Sequence, residues 1–150
     1  MRSEAIEEGV LEFERARRAI AMENTVAGLA SLEKALSLND QKGWYSYLGY
    51  CVAKERGQVS RGSDLCMISL EQEPDNPEHY LNLGKILLLS GNRSEALQVL
   101  RDGVARGENA ELIALLNKFG KRKSPLFPFL PRSNPLNKYL GRLFHRLGLR

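Results

Sequence analysis

The amino-acid sequence predicts an all-α fold, a solenoid of antiparallel helix pairs, and three observations lead to this prediction. Apolar residues recur at spacings of three and four along most of the 150-residue chain, as they do on one face of a helix. Glycine and proline concentrate at the joints between these stretches up to about residue 120, and no alternating β-branched run occurs. Residues of matching size return every 34 positions, which is typical of stacked helical repeats.

The helices are predicted from their apolar stripes. The stripe of the first helix consists of Ile6, Val10, Phe13, Ala16 and Ile20. The glutamates around this stripe are interpreted as a solvated helix face: Glu4, Glu7, Glu8, Glu12 and Glu14. An interruption at Asn24 separates the first helix from the second. The later helices are predicted over the stretches 26–36, 45–52, 65–70, 80–87, 92–107 and 109–119.

Several helix ends carry their own signals. Asn76 followed by Pro77 is typical of an N-cap with proline at the first helical position. Asn92 and Glu95 have the spacing of a capping box. Gly120 predicts the end of the seventh helix, because glycine is favoured just past a helix C-terminus.

The 34-residue period is visible in four columns of three residues each. The columns are Gly28, Gly62 and Ala96; Leu32, Cys66 and Leu100; Ala35, Ser69 and Gly103; and Leu36, Leu70 and Val104. Small side chains let helices approach closely, and the aliphatic residues beside them fill the remaining space. One helix of every pair is therefore predicted to pack in the same way three times.

A longer motif lies in register with these columns. One copy is Tyr45-x-x-Leu48-Gly49-x-x-Val52, then Gly62-x-x-x-Cys66, then Pro74. The next is Tyr80-x-x-Leu83-Gly84-x-x-Leu87, then Ala96-x-x-x-Leu100, with Glu108 in place of the proline. The preceding copy, Phe13-x-x-Ala16-Arg17-x-x-Ile20, lacks Leu-Gly. Over about residues 9–108 the chain resembles a tetratricopeptide repeat (TPR) protein of the small bacterial type, and this resemblance implies a right-handed superhelical solenoid.

The resemblance divides the chain into two parts. Residues 1–120 are interpreted as the solenoid, with repeats at about 9–42, 43–76 and 77–108 and a capping helix at 109–119. Residues 121–150 are interpreted as a proline-rich strap followed by an amphipathic basic helix at 135–147. The unusual first repeat is expected, because the end of a solenoid faces water.

Charge is unevenly distributed between these parts. The net charge of +4 is too small on average to indicate nucleic-acid binding. However, residues 1–111 contain 13 basic and 18 acidic residues, whereas residues 112–150 contain nine basic residues and no acidic one. The sequence therefore predicts an acidic body with a basic tail.

The sequence disfavours an enzyme and predicts neither a cofactor nor a metal site. His79 and His145 lie in different regions, and neither has a histidine or cysteine at metal-ligand spacing. Phosphate-binding glycine loops and a nucleophile elbow are absent from the sequence. Cys51 and Cys66 lack CxxC spacing and are expected to be buried, reduced thiols. With no apolar leader, these features predict a cytoplasmic protein.

The TPR resemblance implies a concave groove, lined by the first helix of each pair, that binds a peptide or a partner helix. The candidate contact residues are Ser46, Tyr50, Lys54, Asn82, Lys85 and Leu89. An ordinary mixed surface is the open alternative. A subgroup of the family binds a peptide's C-terminal carboxylate with a clamp of Lys, Asn and Arg residues. Glu78 and Tyr47 stand where this clamp would require a lysine and an asparagine, so that mode is disfavoured.

The basic tail carries several alternatives. Residues 121–135 contain four of the six prolines and several large apolar residues, so they are predicted to form an extended strap in a groove of the body. Lys138, Arg142 and Arg146 then form the basic side of an amphipathic helix. That helix is expected to fold back as a cap. The alternatives are docking on a second protomer or a partner, and lying on an anionic membrane surface; nucleic acid is disfavoured.

These observations together predict a noncatalytic protein-interaction module, either an adaptor (or scaffold) or an assembly factor, whose partner is another protein or a peptide. Two alternatives from other classes remain open: a small secretion-type TPR chaperone, and a peripheral membrane module attached through the C-terminal helix.

Overall fold

The computed structural model describes residues 1–121 and, beyond them, only residues 142, 146 and 148. Seven α-helices occupy the continuous part: α1 (Arg2–Ala21), α2 (Thr25–Leu38), α3 (Tyr45–Arg56), α4 (Val59–Gln72), α5 (Pro77–Leu89), α6 (Arg93–Arg106) and α7 (Ala110–Gly120). A 3-10 turn at Lys42–Trp44 leads into α3. Residues 1–120 form one compact unit, and the described residues contain no strand.

The helices pack as consecutive pairs, α1 with α2, α3 with α4, and α5 with α6, and α7 lies against α6 and α5. Within each pair the connection is so short that the two helices must run antiparallel. Each pair also contacts the next, through α2 with α3, α3 with α5, and α4 with α5. The predicted all-α class, a solenoid of helix pairs, is confirmed for this part of the chain.

The 34-residue columns lie where the helices of each pair meet. Leu32, Cys66 and Leu100 are fully buried, as are Ala35, Ser69 and Ala96. At the centre of the second pair, a Cβ added to Gly49 would lie 2.4 Å from the carbonyl oxygen of Gly62. The backbones of α3 and α4 are therefore in direct contact at this crossing. The fourth column is only partly buried, since Val104 is exposed.

The predicted buried face of α1 is partly wrong. Ile6 and Val10 are exposed, and the residues that face α2 are Gly9, Glu12, Ala16 and Ile20. The helix turns this side inward because Gly9 and Ala16 permit close approach; a Cβ on Gly9 would lie 3.1 Å from the Cβ of Asn39.

A further prediction about α1 is corrected. Glu12 was expected on a solvated face, yet only 5% of its surface is exposed. Its Oε1 atom accepts hydrogen bonds from Lys34 at 2.9 Å and Arg15 at 2.8 Å, and the Lys34 bond is the main reason that its pKa lies below the usual value.

The capping predictions have different outcomes. Asn76 is the N-cap of α5, its side chain accepts a hydrogen bond from the Glu78 backbone, and Pro77 follows at the first helical turn, as predicted. Asn92 is the N-cap of α6, but its side chain makes no bond to the helix backbone. It donates instead to Glu95 Oε2 at 2.5 Å. The two predicted partners therefore contact each other, without forming the reciprocal capping box.

Cys51 and Cys66 are buried free thiols, as predicted, and burial raises the pKa of Cys51 to about 12. The predicted strap at 121–135 lies outside the described residues, apart from Lys121. Of the predicted basic tail, Arg142 and Arg146 are helical and exposed, while Lys138 is not described. No helix within the described part of the chain is long and apolar enough to span a bilayer.

Candidate peptide-binding surface

Two of the six predicted groove residues, Ser46 and Asn82, are buried between α3 and α5. Ser46 has no exposed surface and Asn82 only 2%. The Asn82 Nδ2 atom donates to Ser46 Oγ at 3.0 Å, and Ser46 Oγ lies 2.7 Å from His79 Nδ1. Because its oxygen already accepts from Asn82, the Ser46 hydroxyl has its proton available for His79. These side chains connect one repeat to the next and are not exposed to a ligand.

The network continues to the surface through His79. The Nε2 atom of this imidazole lies 3.4 Å from Glu73 Oε1, which also accepts a hydrogen bond from Asn76 at 3.2 Å. With Nδ1 accepting from Ser46, the neutral ring carries its proton on Nε2 and directs it toward Glu73. Desolvation by burial lowers the pKa of His79, against the opposing charge of Glu73. The neutral imidazole therefore suits this site.

This network makes stability dependent on pH. The pKa of His79 is lower in the folded protein than in the unfolded chain, so the free energy of unfolding rises with pH between these two values. The contribution of the neutral imidazole is complete above about pH 6.5 and is lost as the pH falls below it. We expect His79→Asn, which keeps an acceptor near the Nδ1 position, to reduce this pH dependence. It should also lower the free energy of unfolding at pH 7 by about 1–3 kcal/mol.

Urea unfolding of the full chain at several pH values between 5 and 8 checks this expectation. His145→Asn is the matched control, since the chain has only these two histidines. The prediction is wrong if the pH dependence of stability disappears in His145→Asn and persists in His79→Asn, because the titrating group would then be His145.

The other four predicted groove residues reach the surface to different extents: Lys54 and Leu89 are exposed, whereas Tyr50 and Lys85 are only partly exposed. The ring of Tyr50 has two ammonium groups nearby, Lys85 Nζ at 4.9 Å and Lys54 Nζ at 5.9 Å from its centroid. Lys85 also forms an ion pair with Glu111 of α7 at 2.6 Å, and its side chain is only 15% exposed. Leu89, at the end of α5, is 50% exposed. A cationic and aromatic patch thus lies beside an exposed aliphatic side chain.

A second feature lies where α3 and α5 begin, and it contains none of the six predicted residues. It is a pocket of about 710 Å³, which we call the aromatic pocket. Its lining residues are Phe13, Arg17, Asp40, Gln41, Lys42, Gly43, Trp44, Tyr47, Gln72, Glu73, Asn76 and Glu78. The Phe13 ring stacks on Trp44 with centroids 4.6 Å apart, and it meets Tyr47 edge-on at 5.1 Å. The three rings form one wall.

Sequence reasoning missed this pocket because its residues come from all of the first five helices except α2, and from the α2–α3 and α4–α5 connections. One signal was present. The TPR resemblance places Tyr47 and Glu78 at the positions of clamp residues, although neither has the clamp chemistry. Both line the aromatic pocket.

Comparison with solved structures places this architecture in a known class. The chain is similar to the structure described as the Arabidopsis OM64 TPR domain, with a TM-score of 0.59 and 15% sequence identity. The match covers 79% of this chain and 99% of that domain. No known protein family matches the sequence, and no curated protein matches it. The chain is a helical-repeat protein with the TPR fold.

Proposed function

We propose that this chain is a noncatalytic adaptor or assembly factor that binds a peptide or a partner helix on the faces of α3 and α5. The observation that supports this most directly is the partly exposed patch at Tyr50, Lys54, Lys85 and Leu89. Leu89 is half-exposed and follows Lys85 by one turn of α5, and the ammonium groups of Lys85 and Lys54 lie near the Tyr50 ring. This surface therefore offers apolar, stacking and charged contacts to the same ligand.

The buried hydrogen-bond network supports the same proposal, because it positions the surface residues. Ser46 and Asn82 hold α3 against α5 from inside, so the spacing between Tyr50 and Lys85 is fixed before a ligand arrives. A preorganised surface loses less conformational entropy on binding than a mobile one. Ser46 and Asn82 would thus contribute to binding by positioning the surface residues and not by contacting the ligand.

The test compares two full-chain variants in capture experiments from native lysate. Leu89→Glu places a charge on the proposed surface. Met67→Glu is the matched control, because Met67 is also 50% exposed and lies on α4, the second helix of its pair. We expect Leu89→Glu to reduce the retained partner at least about tenfold, as truncation of a central interface residue does, and Met67→Glu to leave it unchanged.

Thermal unfolding of both variants accompanies the capture. Equal melting temperatures assign a loss of the partner to the surface and not to the fold. Retention of the same partner by Leu89→Glu, or its loss in Met67→Glu alone, would place the binding surface elsewhere.

A further inference from the structure

We propose that the aromatic pocket binds an arginine side chain of an extended peptide belonging to a separate partner protein. This inference rests on the proposed function, since it names the chemistry of the partner that the interaction module recognises. It concerns a different set of residues from the Tyr50 patch, however, and the two can therefore be tested apart.

The charges of the pocket favour a cation. Among the lining residues, Lys42 is already engaged: its ammonium contacts the Tyr45 hydroxyl at 2.9 Å and Asp40 at 3.5 Å. The guanidinium of Arg17 contacts Glu14, outside the pocket, at 3.2 Å. The positive charge of Arg17 also acts on Tyr47 and Glu78 within the pocket. Each of the two cations thus already has a carboxylate within 3.5 Å, Asp40 for Lys42 and Glu14 for Arg17.

Glu73 and Glu78 are in a different position. The hydrogen bonds that reach them come from neutral groups: Asn76 and His79 for Glu73, and Asn109, at 2.9 Å, for Glu78. Both carboxylates lie close enough to the Tyr47 phenol to affect it. Burial is the main reason that the pKa of Tyr47 is raised, the charges of Glu78 and Glu73 raise it further, and Arg17 acts in the opposite direction. The pocket thus contains two carboxylates near one aromatic wall, and the hydrogen bonds that these carboxylates accept come from uncharged side chains.

The Glu73 carboxylate lies against Gly43. A Cβ added to Gly43 would lie 2.8 Å from Glu73 Oε2, so this oxygen occupies space that any other residue at position 43 would fill. Asn76 and His79 hold the other oxygen. These two contacts restrict the carboxylate before a ligand binds, which favours directional recognition over loose attraction.

Arginine fits this combination better than lysine. A guanidinium is planar, stacks on aromatic rings and donates in a fork that matches carboxylate oxygens, whereas an ammonium is a compact and strongly hydrated charge. Trp44 is half-buried and already stacked on Phe13, so a guanidinium lying along this wall would extend an existing stack. This chemistry is the reverse of a carboxylate clamp, in which cations of the groove hold an anionic peptide end.

Trp44 makes the proposal directly measurable, since it is the only tryptophan of the chain and lines the pocket. The probe is the peptide acetyl-Ser-Leu-Arg-Leu-Ser-amide, titrated into the full chain while Trp44 fluorescence is followed. The matched peptides replace arginine by citrulline, which keeps the shape without the charge, by lysine, and by glutamate. We expect saturable binding of the arginine peptide, at least about tenfold tighter than citrulline, with lysine between them and no saturation with glutamate.

Variants assign the binding to the pocket. Glu73→Gln and Glu78→Gln should each weaken the arginine peptide about three- to tenfold, as expected for charge-assisted bonds at a partly exposed site. Glu71→Gln is the control with the same change of charge, because Glu71 is exposed on α4 and does not line the pocket. It should leave the affinity unchanged. Circular dichroism of the three variants shows whether each remains folded.

Equal affinity for the arginine and citrulline peptides would overturn the proposal, as would equal effects of Glu71→Gln and Glu78→Gln. Its failure is distinguishable from that of the proposed function. If Leu89→Glu loses the captured partner while the arginine peptide does not bind, the interaction module stands and the arginine pocket does not. If the peptide binds as expected while Leu89→Glu keeps the partner, the pocket stands and the Tyr50 patch is not the binding surface.

Discussion

Gly49→Ala is expected to lower the free energy of unfolding by at least about 3 kcal/mol, although alanine is the better helix former by about 1 kcal/mol. The added Cβ would lie 2.4 Å from the Gly62 carbonyl oxygen and 3.2 Å from the Gly62 carbonyl carbon. Both are backbone atoms within α4, so they cannot move aside as a side chain can. The two helices would have to separate, and the buried residues on both sides of the crossing would lose contacts.

Urea unfolding measures this effect, and Gly120→Ala is its control. Gly120 also lies in a helix, but a Cβ there would have its nearest neighbours at 3.9 and 4.0 Å. That variant should change stability by no more than about 0.5 kcal/mol, the usual range for a substitution away from packed features. Similar losses for Gly49→Ala and Gly120→Ala would show that the α3–α4 crossing is looser than the structure has it.

The same crossing explains why so much of the fold could be predicted from the sequence. Where two helices touch backbone to backbone, only glycine, alanine or serine is tolerated, and the next turn must supply a side chain that fills the gap. The same requirement applies in every repeat, so small residues occur 34 positions apart, at Gly28, Gly62 and Ala96. These columns therefore reflect how the second helix of each pair packs, and Leu32, Cys66 and Leu100 are fully buried.

The face of α1 could not be predicted in the same way. Ile6 and Val10 are apolar and yet exposed, so apolar character alone does not identify the inner side of this helix. The inner side is set by Gly9 and by the Glu12–Lys34 ion pair. Hydrophobic periodicity gives no weight to a glycine or to a buried glutamate whose partner is 22 residues away.

The candidate site was harder to predict because a sequence shows which residues are polar but not which are covered. Ser46 and Asn82 were expected to meet a ligand, and they bond each other inside the protein. The aromatic pocket, in contrast, needs Phe13, Trp44 and Tyr47 to come together from separate elements. Its geometry depends on the packing between pairs, which local periodicity does not encode.

Gly84→Ala is the second substitution with a large expected effect, and here the effect should depend on residue 100. The added Cβ would lie 2.5 Å from Cδ2 and 2.8 Å from Cγ of Leu100, a fully buried side chain. In the natural background we expect a loss of about 1–3 kcal/mol, the usual cost of overpacking. Leu100→Ala alone should cost about 2–5 kcal/mol, because it removes apolar contacts and leaves a cavity.

Combined, the two substitutions should not add. With Leu100 shortened to alanine, the atoms that block the new methyl group are gone and the methyl enters the cavity. Gly84→Ala should then be neutral or stabilising by up to about 1 kcal/mol, the difference in helix propensity. The coupling energy from a double-mutant cycle should therefore be about 2 kcal/mol. Simple additivity would mean that Leu100 does not cover Gly84.

Leu100→Ala should rescue Gly84→Ala but not Gly49→Ala, and combining Gly49→Ala with Leu100→Ala tests this difference. The atoms that oppose a Cβ at residue 49 belong to Gly62 and Leu65, so shortening Leu100 removes none of them, and the full cost should persist. The two glycines occupy the same position in successive repeats, yet one faces a backbone and the other a side chain. A side chain can be shortened by a second substitution and a carbonyl cannot, so rescue is expected at Gly84 and not at Gly49.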